Sequence, residues 1–330
     1  MNRKLNSISI AAGKDGRLIY RIETPWEPDS SDDFNNIPKG DMPGDKIKIS
    51  EDHIKKAHKI IPELLKLIIP QLNDHPNQKA VIAVCGGSGV GKSEIASLLS
   101  FYLNKMQLGS YTLSGDNYPH RVPSYNDAER LRVFRTSGIK GLLAHGLYNE
   151  EVGKLLRELQ NNDNDYDPEY SKTYPWLAAY QNSGRNGLKN YLGTPNEIDF
   201  QELSNIISQF KNGADHIYLK RMGREVTELW YEAVDFSNTN ILIIEWTHGN
   251  NHNIQGVDMP ILLNSTPKET LEHRKLRGRD GGTDSPFTTM VLGIEQELLI
   301  SQAPRAKLIV SKSGELLTYR EYAKIMAQED

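Results

Sequence analysis

Short apolar runs alternate with longer stretches in which apolar residues recur every three or four positions. The runs AVIAVC at 80–85 and NILIIE at 240–245 are continuous, as expected for strands buried on both faces. Residues 111–114, 215–219, 259–263 and 307–310 read as further strands. Helical spacing predicts helices over 92–105, 200–210, 269–279, 290–301 and 319–328, and over 127–161 with a break near Gly138. Upstream, Ile54, Ala57, Ile61, Leu64, Leu65 and Ile68 share one helical face. Ser50 is its expected cap, Glu51 and Asp52 suit its first turn, and Pro70 or Asn73 should end it.

Strands alternating with helices imply an α/β fold, a mostly parallel sheet with helices on both faces. Residues 6–12 and 17–23 flank Gly13-Lys14-Asp15-Gly16 and read as a β-hairpin. Residues 24–45 carry four prolines without periodicity and read as an irregular arm or linker. The expected organisation is an N-terminal extension over 1–79 and a main domain over 80–330, with a helical insertion at about 127–198. The extension would serve homodimerisation or cover a sheet edge.

Composition narrows the function classes. Thirty-nine basic against 43 acidic side chains in 330 residues give a net charge of −4, which offers no general attraction to nucleic acid or an anionic membrane. No apolar run reaches the roughly 18–20 residues of a membrane span. The segment 60–72 is interrupted by Glu63, Lys66 and Pro70, and no secretory leader is evident. The single cysteine, Cys85, excludes an intrachain disulfide and fits a reducing compartment, so a cytoplasmic location is expected.

The chemistry concentrates after the first buried run. Gly86-Gly87-Ser88-Gly89-Val90-Gly91-Lys92-Ser93 matches G-x-x-x-x-G-K-[ST] between a predicted strand and a predicted helix. Glycines let successive backbone N–H groups turn towards phosphate oxygens, and the helix N-terminus adds its positive end. Lys92 would reach the β- and γ-phosphates of ATP, Ser93 would ligate Mg²⁺, and Glu94 opens the same helix. This is a P-loop NTPase pattern. Guanine recognition by N-K-x-D is not supported, because Asn104-Lys105 continues as Met106-Gln107.

Two carboxylates end later strands. Asp116 follows the 111–114 strand, 24 residues after Lys92, where it could accept a hydroxyl proton and help hold Mg²⁺. The bland alternative is a turn-forming Gly-Asp-Asn. Glu245 ends its strand in the Walker-B pattern, as a Mg²⁺ residue or else a solvated strand end.

These residues together resemble the uridine kinase/phosphoribulokinase branch of P-loop small-molecule kinases, over roughly 80–310 with gaps. The segment at Pro195, Asp199 and Phe200 is similar to that family's Pro-x-x-φ-Asp-Phe, and Lys220-Arg221 to its basic strand. Ile243-Ile244-Glu245 resembles its hydrophobic-Glu-Gly motif, with Trp246 in place of glycine. The run 273–280 looks like its arginine-rich lid. Residues 113–120 also resemble the adenylylsulfate kinase motif. The resemblance implies catalytic roles for Asp116, Lys92, Arg277 and Arg279, with Arg274 on the nucleotide. Tyr118, His120, Arg121, Lys220, Arg221 and Arg224 become candidate substrate contacts. For the basic runs the bland reading is a solvated, salt-bridged face. Tyr170, Tyr174, Trp176 and Tyr180, with Arg185 and Lys189, line either a core or a pocket.

The expected function is ATP–Mg²⁺-dependent transfer of a phosphoryl group to a hydroxyl of a small metabolite: a nucleoside, a sugar or sugar phosphate, or a related acid. Adenylylsulfate is the alternative acceptor. A non-catalytic nucleotide switch is the alternative of another class, and a nucleic-acid-stimulated NTPase is opposed by the charge.

Overall fold

The structure is a computed structural model that describes residues 3–5, 7–13, 16–29, 31–34, 37–277 and 285–328. The N-terminal strands are β1 (Arg3–Leu5), β2 (Ile8–Ala12) and β3 (Leu18–Ile22), followed by helix α1 (Glu51–Asp74). Next come β4 (Ala80–Gly86), α2 (Lys92–Lys105) and β5 (Ser110–Ser114). Helices α3 (Pro123–Ala144), α4 (Glu150–Asn161), α5 (Tyr170–Thr173), α6 (Trp176–Lys189) and α7 (Phe200–Lys211) follow. The remainder is β6 (His216–Met222), β7 (Leu229–Asp235), β8 (Ile241–Glu245), β9 (Met259–Leu263), α8 (Pro267–Arg277), α9 (Pro286–Gln302), β10 (Leu308–Val310), β11 (Leu316–Leu317) and α10 (Tyr319–Met326). Among the described residues no helix is long and apolar enough to cross a membrane.

The chain divides into two compact units. One comprises Met1–Tyr118, Phe200–Thr266 and Leu299–Asp330; the other comprises Pro119–Asp199 and Pro267–Leu298. The first holds a six-stranded sheet in the order β11-β10-β9-β4-β8-β5, parallel except for β11 against β10. Strand β4 lies between β8 and β9, and all seven of its residues are buried, which accounts for its unbroken apolar run.

The N-terminal segment belongs to that same unit. Ile60, Ile61, Leu64, Leu65, Ile68 and Leu72 of α1 join one core with Ile82 and Val84 of β4 and Leu98 and Leu99 of α2. Burying each such side chain contributes roughly 1.5–3 kcal/mol before conformational entropy is subtracted. Of the two expected stops, Pro70 and Asn73, the helix passes the first and ends beside the second, at Asp74, because its apolar face continues to Leu72. The hairpin gains β1 as a third strand and is tied to α1 by paired bonds between the Tyr20 backbone and the Asn73 amide, at 3.0 and 2.9 Å.

The 24–45 arm is irregular in backbone, as its prolines require, but it is anchored. Trp26 packs edge-on against Tyr102 at 5.0 Å, and Phe34 against Phe101 at 5.6 Å. The strand expected at 215–219 is not in the main sheet. Among the described residues it pairs with β7 alone, antiparallel, as a separate hairpin.

In the second unit, α3 runs unbroken through Gly138, where a break was expected; the interruption comes at 145–149. Gly138 is there to admit a neighbour: a Cβ would lie 2.6 Å from the Tyr180 ring, and one at Gly184 would lie 2.6 Å from Phe134. Helices α3 and α6 therefore approach closely around the crossed rings of Phe134 and Tyr180, 5.6 Å apart. The aromatic stripe is thus core, with Tyr180 donating to the buried Asp165 at 2.7 Å. Arg185 and Lys189 pair with Glu297.

This packing makes a prediction with opposite signs at two glycines of one unit. Gly184→Ala should lower stability by about 1–3 kcal/mol, because the added methyl meets a ring that cannot retreat. Gly293 in α9 has nothing within 4 Å of its Cβ direction. Gly293→Ala should leave stability unchanged or raise it by up to about 1 kcal/mol. Urea unfolding of the two variants reads both values.

Candidate active site

The loop between β4 and α2 has the geometry of an anion cradle. Gly86, Gly89 and Gly91 all have positive φ, at 147°, 79° and 94°. At Gly91, the cap of α2, the left-handed φ favours glycine, and a Cβ there would also lie 2.8 Å from Nε2 of His53. That imidazole comes from the first turn of α1. Its Nδ1 accepts from the Ser50 backbone N–H at 3.2 Å, which leaves the ring proton of the neutral form on Nε2, facing the loop. Lys92 opens α2, and its ammonium donates to the Gly87 carbonyl at 3.1 Å. Glu94, buried in the first turn, complements the helix dipole.

The sheet register brings the second carboxylate alongside. Glu245 pairs with Val84 on one side, two residues before the loop, and with Ser114 on the other, two residues before Asp116. The residue is 7% exposed, and its carboxylate takes a long bond, 3.5 Å, from the Ser114 hydroxyl. Burial pushes its carboxyl up to about 7, Lys92 and a bond from Ser93 oppose this, and Asp116 and Asp45 add to it. Lys92, Ser93, Asp116 and Glu245 are therefore neighbours at the carboxyl ends of β4, β5 and β8.

The fold is of the α/β P-loop type.

The site also suits a hard divalent cation. A P-loop supplies few direct protein ligands to Mg²⁺, which keeps several waters and takes the rest of its shell from phosphate oxygens. Ser93 and the Glu245–Asp116 carboxylates would hold it, and a cation there would relieve the repulsion within that acidic group. Among the described residues no three His, Cys, Asp or Glu side chains gather into a metal cage of their own.

No family model matches the chain. It is similar to the bifunctional alpha-galactosidase/sucrose kinase AgaSK of Mediterraneibacter gnavus, with 37% identity over 236 residues. The match covers 72% of this chain and 20% of that protein, so the chain spans about a fifth of that relative's length. Among solved structures it is similar to D-glycerate 3-kinase from Cryptococcus neoformans var. grubii, at 12% identity over 78% of this chain and 98% of that one, with a TM-score of 0.43. A structure described as a possible uridine kinase from Bacillus stearothermophilus matches at 14% identity over 75% and 98%, with a TM-score of 0.36.

Arg221 was expected to face an acceptor but is 5% exposed on its side chain, with its guanidinium held by Asp41 and Glu232. Lys220 is buried. Arg224 is exposed in the turn between β6 and β7, where its backbone N–H donates to Glu228 at 2.9 Å. Tyr118 is fully buried, and burial raises its phenol pKa. His120 and Arg121 open the second unit, where His120 bonds the Pro195 carbonyl at 2.9 Å and Arg121 donates to the Tyr191 hydroxyl at 3.1 Å. Arg274 and Arg277 have their backbones in α8. Their side chains, and all of Gly278, Arg279 and Asp280, lie outside the described residues.

Trp246, which replaces the expected glycine, packs on the face of Gly115, where a Cβ would meet its ring at 2.0 Å, and on Phe200 at 5.7 Å. Sequence reading missed His53, Asp41 and Asp45 altogether. The last two sit in a proline-rich arm with no periodicity to flag them. The Asp-x-Pro-Gly-Asp spacing is the only local signal, and it reads as a turn.

The burial of Glu245 has a pH signature. Its folded pKa lies above the unfolded value of 4.5, so the folded chain holds the extra proton between about pH 4.5 and 7. The stability from this group is full below that window and is lost as pH rises through it. Glu245→Gln should flatten the decline by a few kcal/mol in nucleotide-free protein, read as denaturant midpoints across pH 5–8.

Proposed function

We propose that this chain is an ATP–Mg²⁺-dependent kinase that phosphorylates a hydroxyl of a small metabolite, with a sugar as the acceptor class. The observation that carries the reading is the gathering of Lys92, Ser93, Asp116 and Glu245 around one phosphate loop. A phosphate loop alone would serve a switch equally well. A carboxylate at the end of the neighbouring edge strand is what hydroxyl activation adds. The similarity to a protein whose name includes sucrose kinase supports the acceptor class, since a phosphate loop belongs to phosphoryl transfer and not to glycoside hydrolysis.

Each residue then has a task. Backbone N–H groups of 86–92 orient the phosphate chain, with the N-terminus of α2 beneath it. Lys92 offsets charge on the β- and γ-phosphates. Asp116 holds the acceptor hydroxyl and takes its proton as that oxygen bonds to the γ-phosphorus, while the bond from phosphorus to the β–γ bridging oxygen breaks. Ser93, Asp116 and Glu245 would hold Mg²⁺, which would supply positive charge against that of the phosphates. Arg277 and Arg279 remain proposed lid residues that would stabilise the equatorial oxygens and exclude water.

The test is ADP release with ATP–Mg²⁺ against a panel of sucrose, other sugars, sugar phosphates, nucleosides, glycerate and adenylylsulfate. ATP turnover should be slow alone and rise sharply with the right acceptor. Asp116→Asn should lower the stimulated rate by about 10²–10⁴-fold while nucleotide binding survives. Hydrolysis indifferent to every acceptor, and to Asp116→Asn, would favour the switch.

A further inference from the structure

Strand β5 lies at one edge of the sheet, so its outward N–H groups need partners from elsewhere. One comes from 73 residues earlier in the chain: the Asp41 carboxylate accepts from the Ser114 backbone N–H at 2.6 Å. The same carboxylate accepts from the Tyr111 hydroxyl at 3.1 Å, from Asn117 Nδ2 at 3.3 Å and from Arg221 Nη1 at 2.9 Å. An ionised carboxylate has about four acceptor positions, and here four donors meet it. Burial raises this carboxyl to about 6, which still leaves it ionised at neutral pH, with Arg221 opposing the rise.

These contacts bracket one short turn. Ser114 precedes it, Asn117 closes it, and Asp116 stands between them. The turn is a single 3₁₀ segment, Gly115–Asn117, with no side-chain cap of its own. Asn117 is doubly held, donating to Asp41 and accepting from the Met222 N–H at 3.0 Å. Four residues beyond Asp41, the same arm carries Asp45, whose charge acts on Glu245. The arm thus reaches both carboxylates of the candidate site.

We propose that Asp41 is a positioning residue for phosphoryl transfer: it fixes the Ser114–Asn117 turn so that the Asp116 carboxylate meets the acceptor hydroxyl. The proposal rests on the kinase reading above. A proton acceptor must sit within hydrogen-bond reach of the hydroxyl, and a misplacement of about 1 Å can cost on the order of 10²-fold in rate. A glycine-led turn at a sheet edge does not supply that accuracy by itself, whereas a buried four-donor carboxylate does.

The experiment uses the full chain with the acceptor that the panel identifies. Asp41→Asn keeps the shape but loses the charge. It should lower kcat about tenfold or more, with KM for ATP and the affinity for a fluorescent ATP analogue within about twofold of wild type. Lys105→Met is the control for a structural role. It cuts a different tether of the arm, to Asp29 and Asp32, away from the turn, and should cost stability without changing kcat. Asn117→Ala releases the turn while leaving the Asp41–Arg221 pair, and should reproduce the kcat loss if Asp41→Asn fails to fold. Unchanged kcat in Asp41→Asn, or in Asn117→Ala where the former does not fold, overturns the proposal. So does a kcat loss in Lys105→Met equal to theirs. A wild-type protein that phosphorylates no acceptor would overturn the kinase reading, and this proposal with it.

Discussion

Negative charge buried at the carboxyl ends of parallel strands is the constraint around which the first unit is built. A carboxylate removed from water is costly unless charge or donors compensate it. Glu245 lies between Val84 and Ser114 in the sheet, and its carboxyl is pushed up because that compensation is incomplete. Lys92, the Ser93 hydroxyl and the N-terminus of α2 supply the positive side. The proposed ATP–Mg²⁺ ligand would bring both anionic phosphate and a cation to this incompletely compensated charge. Tight structural burial would have used an apolar residue at the end of β8, as it does along the rest of that strand.

The N-terminal 79 residues are a working part of this unit. Helix α1 contributes a large share of the core under the sheet, and its first turn places His53 against the phosphate loop. The arm between the hairpin and α1 looks like linker because its backbone makes no regular structure. Its side chains nevertheless make specific contacts: Trp26 and Phe34 in aromatic clusters, Asp29 and Asp32 on Lys105, and Asp41 on the edge strand. An edge strand covered this way is shielded from pairing with another chain.

The second unit is organised by a different principle. Its central helices approach through glycine and serine rather than through interdigitating large side chains. Two rings, Phe134 and Tyr180, fill the space those glycines leave. Buried polar groups are paired within the unit, Asp165 with Arg135 and Tyr180, and Glu197 with Arg130 and Asn126. The charged residues between 127 and 197 thus include a structural set that composition cannot separate from ligand-binding residues.

The α/β class, the buried strands at 80–86 and 241–245, the phosphate loop and its flanking helix were legible in the sequence alone. Their signals are local: a continuous apolar run, a fixed glycine spacing, and a lysine and serine at the head of a helix. Asp116 and Glu245 were legible as strand-end acids for the same reason, and their motifs assigned both to one Mg²⁺, but the geometry by which they meet was not legible. That depended on strand order and on a register that sets Ser114 beside Glu245. Arg221 and Asp41 mark the limit most clearly. One read as a substrate cation and the other as part of a linker, and only the tertiary structure joins them in a buried pair. Which partner a charge finds is decided by contacts 180 residues apart in the chain, and no periodicity or spacing encodes these.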